Sequence, residues 1–181
     1  MANKSVYVSF IKRNHYFYGK LLTEKDLADE QHYLREKQRL FNLNLFGSGI
    51  VSGLQVSASN QGITVRPGMA LDGHGRQIML TVPATLKLPK ERSPRWIVVK
   101  YAERQTDCVP VPGDGGETLE PSRIEEGVEI FYASENPCAP KKNTDERTEC
   151  IAIAKCSGSD MAGASPGTHL ARASACADDM T

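Results

Sequence analysis

The sequence has little of what most catalytic or membrane proteins carry. Only 7% of its 181 residues are aromatic, with a single Trp. No apolar run approaches the roughly 18 residues that a membrane helix needs, and Trp96-Ile97-Val98-Val99 is followed at once by Lys100. No membrane span is expected. The first twenty residues are broken by charge every few positions and hold no apolar core of signal-peptide length, so export by that route is not expected. Net charge is also missing: 22 basic and 22 acidic side chains cancel, which gives no compositional sign of nucleic-acid binding.

Chemistry-bearing motifs are equally sparse. His15, His32, His74 and His169 form no His-x-x-x-His or His-Glu pattern, so neither a metal nor another cofactor is expected. Gly113-Asp114-Gly115-Gly116 lacks the Lys-Ser/Thr pair of a phosphate loop. The five cysteines, Cys108, Cys138, Cys150, Cys156 and Cys176, include no Cys-x-x-Cys pair. Free thiols are the expectation. Cys150 and Cys156 would stand about 20 Å apart along one strand and cannot bridge each other, whereas Cys108 can pair with Cys138 if their two segments adjoin. No catalytic residue is assigned, and the protein is read as a non-enzyme.

What is present is ordinary globular composition, 40% hydrophobic and 24% charged, enough for one core. Thr23 precedes a stretch of helix formers, with Asp26 placed to complete a capping box and Gly47 at the far end. Together they predict one helix of some 22 residues, about 33 Å long. Leu27, Leu34 and Phe41 recur every seven residues and are joined by Leu40 and Leu45, so the helix is expected to be amphipathic, with these five residues in packing or an interface and Leu34 and Phe41 buried on one face.

Beyond Gly47 the apolar spacing changes to even steps. Ile50, Leu54 and Val56, then Ile63 and Val65, then Ile78, Leu80 and Val82, then Leu86 and Leu88 alternate between turn signals at 59–62 and 72–75. Trp96 to Tyr101, Val128 to Ala133 and Cys150 to Ala154 read as further strands. Gly47, Gly49, Gly53, Gly68, Asp72 and Gly75 are the expected structural turn residues. The fold class is α+β, one long N-terminal amphipathic helix packed on a small antiparallel β-sandwich or barrel.

Residues 1–22 are expected to be an N-terminal arm, 23–156 the helix-plus-β domain, and 157–181, rich in Ala, Ser and Gly, a flexible tail. Proline and glycine at 110–121 and 137–140 predict loops over 103–126 and 134–147. Residues 1–102 carry 15 basic against 7 acidic side chains and residues 103–149 carry 5 against 12. The acidic segments can therefore be solvated loops or can meet the basic part of a neighbouring subunit. Tyr7, Phe10, Lys12, Arg13, Tyr16, Phe17 and Tyr18 interleave rings and cations, but without a basic excess they are read as anchors onto the sheet or a neighbour, not as a nucleic-acid platform.

One ordered set of blocks carries a resemblance. Tyr18-Gly19-Lys20-Leu21-Leu22-Thr23, Asp26-Leu27, Glu30-Gln31, Tyr33, Asn42 and Gly47-Ser48-Gly49-Ile50-Val51-Ser52-Gly53-Leu54 are followed by Pro67-Gly68, Ala70-Leu71-Asp72 and Gly75-Arg76. Asp107, Val109-Pro110-Val111 and Ser122-Arg123-Ile124 extend them. This resembles small proteins encoded with phage-tail-like contractile injection systems, over roughly residues 16–132. The resemblance implies a structural component near the baseplate or tail-fibre attachment region, assembled in the cytoplasm and incorporated in a released particle. Its implied partners are copies of itself or other tail and baseplate proteins. A ligand- or carbohydrate-binding adaptor module is the alternative.

Overall fold

A computed structural model describes residues 11–59, 62–88, 95–113, 116–137 and 148–156. Among these residues one helix, α1 (Glu24–Leu45), precedes nine strands: β1 (Gly49–Gly53), β2 (Val56–Ser59), β3 (Gly62–Val65), β4 (Gly68–Leu71), β5 (Gln77–Leu80), β6 (Ala84–Leu86), β7 (Arg95–Gly113), β8 (Gly116–Ala133) and β9 (Cys150–Cys156). The fold is α+β and all strand pairs are antiparallel. No barrel closes among the described residues.

The capping box forms as its residues dictate. Thr23 Oγ1 accepts from the Asp26 N–H at 3.2 Å, and the Asp26 carboxylate accepts from the Thr23 N–H at 3.0 Å. At the other end Gly47, at φ 71°, donates its N–H to the Leu43 carbonyl at 3.1 Å, which ends the helix in a left-handed turn.

The strands form three sheets of three, ordered β1-β4-β5, β2-β3-β6 and β8-β7-β9. The first two repeat one arrangement: segments 49–59, 62–71 and 77–86 lie side by side as a meander that bends midway. The bend falls where Gly53 pairs with Gly68. A Cβ on Gly68 would stand 2.3 Å from the Leu54 nitrogen, and one on Gly53 would stand 2.2 Å from the Pro67 carbonyl oxygen. Only glycine lets the two backbones approach so closely.

The core lies between this meander and the third sheet. Ile50, Leu54, Ile63, Val65, Ala70 and Ile78 meet Ile97, Val99, Ile151, Ile153 and Ala154, all buried. Val98, on the opposite face of β7 from Ile97 and Val99, is buried as well. Val82 and Leu88, placed in the apolar alternation by spacing, are exposed instead. They fall outside the bounds of β5 and β6.

The segment 103–126, expected as a loop, is strand almost throughout. β7 and β8 continue past the core as a two-stranded ribbon in one register, from Ala102↔Gly127 to Gly113↔Gly116, with pairing skipped only at Asp107, which has a φ of 54°. The prolines fit the ladder. Pro121 opposes Cys108, Pro110 opposes Leu119 and Pro112 opposes Glu117, three pairs of the same parity. An antiparallel ladder alternates bonded and non-bonded pairs, so one phase accommodates all three missing donors. β9 stops pairing at Lys100, and among the described residues no strand pairs with the outer edges of the ribbon, where proline is tolerated. Of the segment 134–147, residues 138–147 lie outside the described residues, as do the tail from 157, Tyr7, Phe10, Cys138, Cys176 and His169.

Candidate functional site

The helix is attached through a tight turn. Between β4 and β5 the Asp72 carboxylate is fully buried, and its Oδ1 accepts the N–H groups of His74 and Arg76, both at 2.9 Å. Its Oδ2 accepts Arg76 Nε at 2.6 Å. Three donors and an opposite charge compensate the desolvation of a buried carboxylate. The turn is further tied to the entry of β9 by Gly73 N–H donating to Thr148 at 2.7 Å. His74, flanked by glycines, is half-buried in this turn.

Gly75 completes the turn and receives the helix. Its φ is 77°, and a Cβ there would stand 2.3 Å from the Arg39 carbonyl oxygen and 2.9 Å from Leu43 Cγ. The backbone of α1 thus rests directly on this glycine. Asn42, the buried residue of the helix, donates Nδ2 to the Gly75 carbonyl at 2.8 Å. Gln38 Nε2 in turn donates to Asn42 Oδ1 at 3.0 Å.

This contact decides which row of the helix meets the strands. Gln31, Arg35, Gln38, Arg39 and Asn42, spaced as one helical face, line two clefts against the β body. The smaller, of about 150 Å³, holds Arg76, Gln77 and Tyr101 on its far wall. The larger, of about 670 Å³, runs between α1 and the ribbon, where Glu103, Gln105, Pro121, Ser122, Arg123, Ile124 and Glu126 face Gln31, Leu34 and Arg35. The row toward the body is polar apart from Leu34, which stands at the mouth of the larger cleft and is still more than half exposed.

The apolar row is therefore left outside. Leu27, Leu34, Phe41 and Leu45 are 55%, 58%, 56% and 58% exposed, and only Leu40 of the five sequence-selected residues is half-buried. The expected burial of Leu34 and Phe41 on a common face is overturned. Asn42 at the Gly75 turn sets the rotation of the helix about its axis, and that rotation turns the heptad row away from the sheet. Phe46 continues the exposed row and meets the Phe41 ring edge-on, centroids 6.3 Å apart.

The arm aromatics behave similarly. Tyr16, Phe17 and Tyr18 are exposed, so they do not anchor the arm onto the sheet. The arm is held by polar contacts instead: the Asn14 side-chain amide donates to the Asp26 carbonyl, and Lys20 Nζ pairs with the Asp26 carboxylate at 2.8 Å. Lys20, with the Thr23 hydroxyl and amide, holds the Asp26 carboxyl well below the usual carboxylate range.

Electrostatics around the clefts is mixed. Burial pushes the Tyr101 phenol above its ordinary range, helped by its hydrogen bond to Glu103 at 2.8 Å and by the charge of Glu126. The Arg76 guanidinium carbon lies 5.4 Å from the Tyr101 ring centroid. Lys100, 3.1 Å from Glu149, lowers the Glu149 pKa, with Arg76 adding to the effect. Among the described residues no group of three His, Cys, Asp or Glu could hold a metal ion. Cys108 is exposed on the ribbon and Cys150 is buried.

Arg35, Gln38, Tyr101 and Glu126 were not singled out from the sequence, although the i, i+4, i+7, i+11 spacing of Gln31, Arg35, Gln38 and Asn42 marks a polar helical row. Gly47, Gly49, Gly53, Gly68, Asp72 and Gly75 lie at the helix end, the meander bend and the Asp72 turn. Gly53, Gly68 and Gly75 are the ones pressed against backbone. No helix among the described residues is long and apolar enough to cross a membrane.

No family model matches the chain, nor does any curated protein. Among solved structures the chain is similar to one in the type VI secretion system TssK-TssF-TssG baseplate subcomplex, determined by cryo-electron microscopy. The identity is 12% and the TM-score 0.48, over 81% of this chain and 56% of that one. This chain thus spans little more than half the length of that relative, and likeness at this level assigns neither family nor function.

Proposed function

We propose that this protein is a non-catalytic assembly subunit of a phage-tail-like contractile injection particle, at the baseplate or fibre-attachment region. The observation that carries an assembly role is the exposed apolar row of α1, Leu27, Leu34, Phe41, Leu45 and Phe46. A row of large apolar side chains left in water along one helix is a surface that burial in a partner would cover. The ordered sequence blocks between residues 16 and 132 support the kind of particle. The acidic ribbon and the more basic first half add surfaces of opposite sign for subunits to match.

The second reading, a ligand- or carbohydrate-binding adaptor, draws on the cleft of about 670 Å³ between α1 and the ribbon, a volume in the range of ligand pockets. Its described walls contain no aromatic ring on which a sugar could stack. Charged side chains of both signs line it, as at the rim of a protein interface.

Affinity capture of the tagged full chain from cells producing the particle, followed by locating the chain in a particle map, tests the proposal. Recovery of baseplate or fibre-region proteins supports it. A chain that stays monomeric at high concentration and captures no particle component overturns it in favour of the adaptor.

A further inference from the structure

We infer that α1 pairs with α1 of a second copy of this chain, antiparallel, about a two-fold axis at Leu34. This rests on the assembly reading above and names its partner and geometry. Leu27, Leu34 and Phe41 stand seven residues apart, the spacing of a helix-helix seam, and each is more than half exposed. Turned end for end about Leu34, a second helix sets Leu34 against its own counterpart and Leu27 against Phe41 of the partner subunit. The same patch then serves both copies, as a closed two-fold interface requires.

Charge selects this orientation over the parallel one. The first turns of α1 hold Glu24, Asp26, Asp29 and Glu30 against Lys25 alone, and the following turns hold Arg35, Lys37 and Arg39 against Glu36 alone. A parallel pair stacks acid on acid and base on base, whereas the antiparallel pair opposes them and also opposes the two helix dipoles. Asp26 is already matched to Lys20 and Arg39 to Glu36 within the chain. Half-buried Glu30, whose Oε2 is shielded from water without a hydrogen-bond partner, and exposed Lys37 flank Leu34 on one side of the seam, one heptad apart, so reversal brings the outer oxygen of Glu30 in one copy to Lys37 of the partner subunit, and the two-fold repeats the contact. The helix spans about 33 Å, long enough for the three apolar layers and both charge contacts.

Sedimentation equilibrium of the full chain, with circular dichroism to monitor folding, tests the pairing. Each single reversal, Glu30→Lys or Lys37→Glu, is expected to raise the dimer dissociation constant about tenfold, and the double variant should return it to within about threefold of the starting value, because exchanging both signs restores both contacts. Leu34→Glu should abolish the dimer by setting two carboxylates on the axis. If Glu30→Lys disturbs folding, the exposed positions Lys37 and Leu34 still carry the test. Self-association that survives Leu34→Glu, or single losses without rescue in the double variant, overturns the antiparallel pairing while leaving the assembly role standing. A monomer that captures particle proteins through this face does the same, and a monomer that captures none removes both.

Discussion

Asn42 and Gly75, 33 positions apart in the chain, are joined by a hydrogen bond of 2.8 Å from the Asn42 side-chain amide to the Gly75 carbonyl. Through it the last turns of α1 are locked to the turn that Asp72 folds. Asn42→Ala should lower stability by about 1–3 kcal/mol, since it removes the bond and strands a buried carbonyl. Asn44→Ala, whose amide only reaches back to Leu40 on the exposed surface, should change it by less than about 0.5 kcal/mol. Gly75→Ala should cost about 2 kcal/mol or more by combining a left-handed backbone with collision against the Arg39 carbonyl. Urea denaturation of the three variants compares them directly.

The exposed seam and the buried core should respond oppositely to truncation. Ile97→Ala opens a cavity in the fully buried core and should cost about 2–5 kcal/mol. Leu34→Ala and Phe41→Ala should each cost less than about 1 kcal/mol when stability is measured at concentrations where the chain is monomeric, because half or more of each side chain is already in water. Comparable losses at all three positions would mean that α1 buries the heptad row against its own sheet.

Acid should weaken the helix start. Asp26 is held ionised in the folded chain at a pH where the unfolded chain already protonates it. Its stabilisation is therefore complete above the unfolded carboxylate pKa of about 3.9 and is lost as pH falls through the lower folded value. Glu149, also depressed by Lys100, has the same sign. Asp26→Asn should lower stability near neutral pH and flatten the acid limb of the pH-stability curve, read by thermal melts between about pH 7 and pH 2.

The Asp72 turn should not tolerate loss of its charge. Asp72→Asn leaves Arg76 without its counter-ion beside a fully buried position and should cost about 3–5 kcal/mol. Glu149→Gln, at the exposed Lys100 pair, should cost less than about 1 kcal/mol. Equal effects in guanidinium titrations would show that the turn is not what secures the helix.

Local features were legible in the residues. Thr23, Asp26 and Gly47 bracket α1 because capping and a left-handed end are decided within a few residues of the site. Ile63-x-Val65 and Ile151-x-Ile153 announce half-buried strands because alternation is itself local. The run of three buried residues from Ile97 to Val99 likewise marks a central strand. The charge asymmetry between the two halves could also be read from the residues alone.

Tertiary structure decided two further matters. The heptad row Leu27, Leu34 and Phe41 looked like a core face, since periodicity reports that a helix has an apolar side but not what that side meets. The direction was set by Asn42 reaching Gly75 across 33 positions and by a glycine that lets the helix backbone touch the turn. The prolines at 110, 112 and 121 signal a loop when taken singly, and only the pairing of β7 with β8 puts them in one phase of a ladder. In both cases the deciding term is a contact between residues far apart in sequence, which no local pattern contains.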